Sequence, residues 1–573
     1  MDASATLRDA AQSLYTQTSG TVEIARVGSR NRHGVLFHAR FLVRPQFQLS
    51  YRVPPMSSET PTQGEPRAIA DVVFDQVRSI IPPDIQTELT LESSLYDIGV
   101  DSLARMGVIN RLEESFGIRF PEDMLYDLET CGDLIECVET ILGQKPKKEK
   151  VAVSSAPPAK ASSDSTSHEI RAEHYDVSLF SECIAFDQRL TGASAAGYSI
   201  PFFRVKEQVR GAVAQIKGQD CISYTSFDYL GLGGAPRVTA AAAKAIEEFG
   251  TSASASRLVG GESTLLADLD HELADWIGTE AALVFPSGYG TNASVLAHLF
   301  GERDLILYDE LAHNSIVHGT TTSLAQRRPF PHNDYSHVDK LLQDIRSQYR
   351  RVAIAVEGVY SMDGDYPDLA KFIDVKSKHK ALLYVDEAHS MGVLGKTGRG
   401  ICEHFGVDAS DGDLWMGTIS KALGSAGGYL AGREKLIQYL KYTTPAFVFA
   451  TAVSPPNSAA SLEAIRCLRD EPERVSRLRD RSALFLQLAK QRGMNTGESH
   501  ETPVIPIIIG DSMRCIWLSH ELLRNGIDAQ PILYPAVPES LSRLRFFITA
   551  NHTPEQIERT VELLAQCITA SQS

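Results

Sequence analysis

Ala381-Leu-Leu-Tyr-Val-Asp-Glu-Ala-His389 and Leu414-Trp-Met-Gly-Thr-Ile-Ser-Lys-Ala-Leu-Gly424 decide the fold of most of this chain. Each stretch begins with a short apolar run, typical of a buried strand, and ends in polar residues. Similar runs precede them, separated by helical or loop segments, and the predicted strands are Ala282–Phe285, Leu305–Tyr308, Val352–Val356, Ala381–Val385 and Leu414–Met416. Strands that alternate with helices predict an α/β domain with a mainly parallel, doubly wound sheet.

The predicted strands end in residues suited to one planar cofactor. Asp386 follows one strand, Lys421 lies just beyond the next, and Ser287 follows the first. Ligands of open α/β sheets bind at the carboxyl ends of strands, so we expect these side chains to face a common site. Pyridoxal 5′-phosphate (PLP) requires a lysine for its Schiff base, a carboxylate at its pyridine nitrogen and donors around its phosphate. The sequence therefore predicts a PLP site.

Three strings make this interpretation specific. They are Glu-Gly-Val-Tyr-Ser-Met-Asp-Gly-Asp at 357–365, Val-Asp-Glu-Ala-His at 385–389 and Thr-Ile-Ser-Lys-Ala-Leu-Gly at 418–424. They resemble the α-oxoamine synthases, which include 8-amino-7-oxononanoate synthase, serine palmitoyltransferase and 2-amino-3-ketobutyrate CoA ligase, and the likeness runs from about Ser223 to Thr553. The resemblance implies a homodimeric, fold-type I PLP-dependent acyltransferase. Such an enzyme condenses a small amino acid with an acyl thioester, loses carbon dioxide and yields an α-amino ketone.

The resemblance also implies roles for single residues. Lys421 would hold PLP in the Schiff base and remove the α-proton, Asp386 would pair with the pyridine nitrogen, and His389 with the ring hydroxyl. His313 would stack on the cofactor ring and orient the thioester. Further cofactor-binding residues would be Ser287, Gly288, Tyr289, Ser361, Thr418 and Thr451.

The amino acid carboxylate would be bound by Arg545, or by Arg543 if the alignment is shifted by two residues. A planar guanidinium suits a carboxylate, which it binds with two hydrogen bonds. The chain departs from the family at two points. Leu266 stands where relatives often have His, and Thr451 is the one hydroxyl residue retained of two that reach the other subunit's phosphate.

A second motif lies nearer the N-terminus, at Asp97-Ile-Gly-Val-Asp-Ser-Leu103. It places Ser102 at the start of an amphipathic helix, where free backbone N–H groups favour a phosphate. The alternative is that Asp101 and Ser102 only cap that helix. Residues 67–143 contain 16 acidic residues and five arginines, and they resemble a small all-α, four-helix acyl carrier domain. The resemblance implies 4′-phosphopantetheine on Ser102, a phosphopantetheinyl transferase to attach it, and an acyl-loading enzyme or upstream synthase.

Composition shifts predict five segments. These are a poorly ordered extension (1–66), the carrier domain (67–143), a flexible linker (144–177), a large PLP-binding domain with an N-terminal entry segment (178–501) and a small α+β domain (502–573). The linker is rich in Ser, Pro, Ala and Lys. Because ordinary flexible N-terminal sequence follows Met56, we expect synthesis to start there, with residues 1–55 coming from an overlong gene assignment.

Composition excludes several classes of function. The formal net charge of −16 is the wrong sign for a broad nucleic-acid-binding face. No secretory signal or run of 18 apolar residues is present, so we expect a cytoplasmic protein without a membrane span. The eight cysteines form no Cys-x-x-Cys pair and no zinc-like cluster, so we expect reduced thiols and no metal.

Two alternatives remain at the sequence level. Gly288-Tyr-Gly-Thr-Asn-Ala293 fits the G-x-G-x-x-A pattern of a nicotinamide-binding turn, with Asp309 as a candidate ribose ligand. This would make the protein an NAD(P)-dependent reductase of carrier-bound acyl groups. However, none of the 19 tyrosines has a lysine four positions later, as short-chain reductases do. The second alternative is a non-catalytic scaffold with a degenerate PLP fold.

Overall fold

A computed structural model describes residues 69–78, scattered positions between 89 and 120, and the ranges 130–143, 170–195, 200–534 and 536–571. The chain divides into two compact units, Met1–Val153 and Ser154–Ser573, and the division falls within the predicted linker. The predicted extension (1–66), Ser102 and residues 144–169 lie outside the described residues.

Two complete helices are described in the first unit. Helix Ile69–Arg78 buries Val73 and Val77, and helix Cys131–Ile141 buries Leu134 and Val138 in the same core. The second helix begins at a capping box, in which Thr130 and Asp133 each satisfy a backbone N–H of the other. This amphipathic pattern is the one expected for packed helices of a small bundle.

The described strands of the second unit are numbered in chain order: β1 Gln208–Arg210, β2 Val213–Ile216, β3 Gln219–Ser223, β4 Ala281–Phe285, β5 Leu305–Asp309, β6 Gln326–Phe330, β7 Val352–Glu357, β8 Leu382–Asp386, β9 Leu414–Thr418, β10 Gly428–Gly432, β11 Val504–Ile508, β12 Ile527–Asp528, β13 Gln530–Ile532 and β14 Arg543–Phe547. The five strands predicted for the large domain correspond to β4, β5, β7, β8 and β9, and they are confirmed to within two residues at each end.

The central sheet has seven strands in the order β4-β10-β9-β8-β7-β5-β6. Its strands are parallel except β10, which pairs antiparallel with both β4 and β9. Strands β6 and β10 were not among the predicted strands. Residues 326–330 (Gln-Arg-Arg-Pro-Phe) are polar and form an edge strand, where Pro is tolerated. Gly428 and Gly432, one at each end of β10, weaken its strand signal.

Helices cover both faces of this sheet, so its strands are buried on both sides. Ile354 of β7 belongs to one apolar core and the next residue, Ala355, to the other. The larger helices of the unit are Ser181–Ala195, Pro236–Phe249, Thr264–Ile277, Gly288–Leu299, Asn314–Thr322, Tyr335–Ile345, Leu369–His379, Glu434–Thr443, Pro455–Asp470, Glu473–Gln491, Ser512–Arg524 and Pro554–Ala570. No helix among the described residues is both long and apolar enough to span a membrane.

Two smaller sheets complete the second unit. Strands β11, β14 and β13 form an antiparallel sheet backed by helices Ser512–Arg524 and Pro554–Ala570, as expected for a small α+β domain. Strand β12 pairs with β3, which ties residues 208–223 to the same region. The position of β14 matters for function, because it carries both candidate arginines.

Candidate active site

One cavity of about 410 Å³ lies at the carboxyl ends of the central strands. Ten of the twelve predicted site residues line it, and they come from sequence positions more than 250 residues apart. They are Ser287, Gly288, Tyr289, His313, Ser361, Asp386, His389, Thr418, Lys421 and Arg545. A larger groove of about 800 Å³, beside Val393–Lys396, contains none of them. The chemistry of the side chains therefore makes the smaller cavity the candidate site.

Asp386 ends β8 and is oriented by two donors. Asn292 Nδ2 donates to Asp386 Oδ2 at 2.7 Å, and the Ala388 amide donates to Oδ1 at 2.9 Å. Asn292 is itself held by Tyr384, whose hydroxyl donates to its Oδ1 at 2.7 Å. The carboxylate is buried, so these bonds fix one orientation of it. Such a carboxylate can keep a pyridine nitrogen protonated.

Lys421 lies in the tight turn after β9, where the Gly424 amide donates to its carbonyl at 2.9 Å. Burial lowers the pKa of its amine to about 8, although Asp386 and Glu357 oppose the shift and Arg545 adds to it. The ammonium lies 5.9 Å from the ring centre of Phe227. A lysine with this pKa has a substantial neutral fraction near pH 7, which a Schiff-base lysine and a proton acceptor both need.

His389 is buried against the wall of the cavity. Its Nδ1 and the Tyr229 hydroxyl lie 2.6 Å apart, and its ring stacks 6.4 Å from that of Phe547. Burial, followed by the positive charges of Lys421 and Arg545, holds its pKa well below the ordinary value. The imidazole is therefore neutral, and it can hydrogen-bond a hydroxyl group through Nε2.

His313 caps the helix that follows β5 and is exposed to the cavity. Its backbone amide donates to Glu357 Oε1, and its Nδ1 lies 2.7 Å from Ser315 Oγ. Desolvation, Lys421 and Arg545 outweigh the charge of Asp386 and lower the pKa of His313. Burial and the nearby Asp386 raise the pKa of Glu357 well above its usual value. A neutral, flat ring thus faces the open side of the site.

The helix Gly288–Leu299 points its N-terminus into the cavity. Ser287 caps it, accepting from the Gly290 amide at 3.3 Å. A Cβ on Gly288 would lie 3.0 Å from Thr418 Cβ, and a Cβ on Gly428 would lie 2.6 Å from Gly288 Cα. Glycine is needed at both positions because the backbones approach so closely. Free amides at a helix N-terminus beside hydroxyl groups suit a phosphate, so the donor set fits PLP.

The two candidate arginines of β14 differ in their partners. Arg543 is buried and engaged, with its Nη1 2.7 Å from Asp363 Oδ1 and 3.0 Å from the Met362 carbonyl oxygen. Arg545 uses only Nη1, which donates to the Ser361 carbonyl at 2.9 Å, while its buried Nε has no partner. Its guanidinium lies 4.6 Å from the Phe547 ring centre. Of the two, Arg545 lines the cavity and has an unpartnered donor there, whereas Arg543 does not line it.

The other two predicted site residues are Thr451 and Ser102, and Ser102 lies outside the described residues. Thr451 is exposed and does not line the cavity of its own chain. Leu266 is buried in the large apolar core on helix Thr264–Ile277, so this departure from the family pattern does not touch the site. Asp309, the candidate ribose ligand, is fully buried and bonded to His332 and to two backbone amides. Its engagement removes the geometric basis of the reductase alternative.

Sequence reasoning missed four side chains that shape the site. Asn292 orients Asp386, and Tyr229 orients His389. Glu357 accepts from the His313 amide, and Phe227 presents a phenyl ring to the cavity. Glu357 is the first residue of the family-like string at 357–365, and Asn292 lies within the G-x-G-x-x-A pattern at 288–293, but the sequence assigned neither of them a role. Nothing in the local pattern marked Phe227. No cluster of metal-ligating side chains occurs in the described part of the chain.

The fold and the cavity define a PLP-dependent transferase of fold type I. The family model "Aminotransferase class I and II" matches residues 219–564, and the model "Phosphopantetheine attachment site" matches residues 75–138. The 8-amino-7-oxononanoate synthase of Symbiobacterium thermophilum is 38% identical over 379 residues, covering 66% of this chain and 96% of that protein. An 8-amino-7-oxononanoate synthase of Bacillus velezensis is 39% identical over 358 residues, with coverages of 62% and 91%.

Solved structures agree with these relatives. Serine palmitoyltransferase from S. paucimobilis, with PLP and myriocin bound, is 30% identical with a TM-score of 0.66, covering 69% of this chain and 98% of that one. The chain belongs to the aminotransferase class I and II family, in its α-oxoamine synthase branch, and carries an additional phosphopantetheine attachment unit.

Proposed function

We propose that this protein condenses a small amino acid with an acyl thioester carried on its own phosphopantetheine arm, releasing carbon dioxide and an α-amino ketone. One observation carries the proposal: a single chain holds both a phosphopantetheine attachment unit and a synthase unit with a PLP-type cavity. A tethered substrate reaches roughly millimolar effective concentration, so weak recognition between the units suffices. The product would enter lipid or natural-product biosynthesis.

The side chains of the cavity divide the work. PLP, when bound, supplies an electron sink for the α-carbon. Arg545 binds the amino acid carboxylate through its free donors, and the Lys421 amine accepts the α-proton. Asp386, oriented by Asn292, keeps the pyridine nitrogen protonated, and neutral His389 donates to the ring hydroxyl. His313 covers the cofactor and orients the thioester.

The phenyl ring of Phe227 supports a preference for small amino acids. It faces the Lys421 ammonium at 5.9 Å and contacts the Phe547 ring at 4.7 Å, and Arg545 lies over the face of Phe547. A substrate held between Lys421 and Arg545 would present its side chain beside this ring. Glycine, alanine and serine are therefore the proposed amino acids.

We also propose a homodimer. Thr451 lies outside the cavity of its own chain, two residues after Phe449. The Ala452 amide donates to the Ala255 carbonyl at 3.0 Å, which joins this segment to the one that contains Val259, and the side chains of Phe449 and Val259 are each 85% accessible. An exposed apolar patch of this kind is typical of an interface. Burial of this patch would bring Thr451 to the partner's cofactor phosphate.

A phosphopantetheinyl transferase and an acyl-loading enzyme are the other proposed partners. The cytoplasmic location stays a prediction.

The Ser102→Ala variant tests the role of the arm. It is expected to lose all condensation that starts from loaded carrier, because Ser102 is the residue proposed to carry the phosphopantetheine. Released ¹³C-labelled carbon dioxide from carboxyl-labelled amino acid would be measured, and Ser115→Ala, an exposed serine of the same unit, is the control. Full activity of Ser102→Ala in the presence of the loading enzyme would refute the carrier role.

The pH dependence of PLP capture tests the environment of Lys421. Only a neutral amine reacts, and the pKa of about 8 places half-maximal reactivity there rather than at the ordinary 10.5. The rate of visible absorbance gain after PLP is added to cofactor-free protein should therefore rise with pH through about 8 and then level off. N-acetyl-lysine methylamide serves as the unshifted reference. A protein rate that keeps rising in parallel with this reference would contradict the burial argument.

A further inference from the structure

A histidine outside the cavity, His332, is held between two buried carboxylates. Its Nδ1 lies 2.8 Å from Asp309 Oδ1, and its Nε2 lies 2.8 Å from Asp365 Oδ2. Because each ring nitrogen faces a carboxylate acceptor, both nitrogens carry a proton and the ring is an imidazolium. Burial opposes this charge, but hydrogen bonds to Asp309 and Asp365 and their negative charges raise the pKa of His332 to about 10. The charge therefore persists throughout the neutral pH range.

Asp309, on one side of this imidazolium, shapes the turn that carries His313. Its Oδ1 also accepts from the Leu311 amide at 2.9 Å, and its carbonyl accepts from the Ala312 amide at 2.9 Å. His313 follows directly and caps the helix Asn314–Thr322. The direction of the Asp309 carboxylate thus sets where the His313 ring lies over the cavity.

Asp365, on the other side, ends the segment 361–365 that holds Arg545. The first residue of this segment, Ser361, accepts from Arg545 Nη1 at 2.9 Å through its carbonyl. The segment is tightly seated, because Gly364 has a φ of +74° and a Cβ there would lie 1.9 Å from the Val504 carbonyl oxygen. This segment therefore holds Asp365 rigidly, and through Asp365 it supports His332.

We propose that His332 is a positioning residue that fixes the His313 turn against the segment holding Arg545, through its paired contacts with Asp309 and Asp365. This inference rests on the proposed function, in which His313 covers the cofactor and Arg545 binds the amino acid. His332 itself does not line the cavity. It sets the distance between His313 and Arg545, which act on the same substrate. Reaction rates depend strongly on the relative positions of groups that act on one substrate.

The His332→Gln variant tests this role, because glutamine cannot bridge two carboxylates as a cation. The variant should still bind PLP, while kcat falls roughly 10- to 100-fold, as expected when reacting groups are slightly misplaced. The visible circular dichroism of bound PLP should change, and the amino acid dissociation constant, from spectral titration, should rise. His379→Gln is the matched control, since His379, at the end of helix Leu369–His379, also lies 2.7 Å from a carboxylate oxygen, that of Asp339. It should resemble the wild type in every measurement.

A second variant keeps the test decisive. Asp365→Asn preserves the side-chain shape but removes one charge, and it should shift kcat and the dichroism in the same direction by a smaller factor. If either folded variant had the wild-type kcat and dichroism, the positioning role would be overturned. If neither variant folded, it would also be overturned, because His332 would then be needed for folding alone. Failure of the proposed function would be seen in the wild type itself, as no PLP band or no turnover.

Discussion

Replacing Lys421 by alanine is expected to reduce turnover by roughly 10⁴-fold or more, the upper range for loss of a positioned proton-transfer group. The effect should be this large because the proposed function assigns Lys421 two roles, the covalent attachment of PLP and the removal of the α-proton. Among the residues that the structure describes, no other lysine lines the cavity. The measurement is turnover of the variant loaded with PLP, together with its visible spectrum.

The control for this variant is Lys435→Ala, an exposed lysine on helix Glu434–Thr443. It should retain wild-type turnover. Borohydride treatment followed by peptide mass mapping should find a reduced pyridoxyl group on Lys421 in the control and none there in the variant. A Lys421→Ala protein that turns over within tenfold of the control would contradict the assignment of the base.

Replacing Arg545 by lysine is expected to raise the amino acid KM by roughly 10- to 100-fold, since a charge-assisted hydrogen bond is worth about 1.5 to 3 kcal/mol. Lysine keeps the charge but cannot form the paired hydrogen bonds that a guanidinium makes with a carboxylate. The KM for the acyl thioester should change much less. Initial rates at varied amino acid concentration measure the effect.

Arg543→Lys is the matched comparison two residues away. Because Arg543 is buried and bonded to Asp363, its loss should lower the melting temperature and change the amino acid KM less than Arg545→Lys does. The reverse outcome, a large KM effect at position 543 and none at 545, would mean that the alignment is shifted by two residues. It would transfer the carboxylate-binding role to Arg543.

The sequence predicted the candidate site best where a functional residue directly follows a strand. The string at 385–389 contains Asp386, the last residue of β8, and the string at 418–424 contains Lys421, three residues beyond the end of β9; both residues line the cavity. Apolar strands followed by polar residues carry this information locally, because the strand and its functional residue are neighbours in the chain.

Contacts between distant segments could not be predicted in the same way. His332 and Asp365 are 33 residues apart and meet only because β6 and β7 both flank β5. Phe227 lies in a segment without hydrophobic periodicity. Its position beside Lys421 depends on tertiary packing, including its contact with Phe547 of β14. The choice between Arg543 and Arg545 likewise required their hydrogen-bond partners.

The most direct test of a carrier-fed synthase follows the acyl group on the intact chain. PLP-loaded protein with an acyl-phosphopantetheine on Ser102 would be mixed with amino acid, and the intact mass recorded over time. The account predicts that the mass falls by the acyl group as α-amino ketone appears, and that the Lys421→Ala protein keeps its acyl group. An acyl group that stays on Ser102 in the wild type, while free acyl thioesters are consumed, would contradict it.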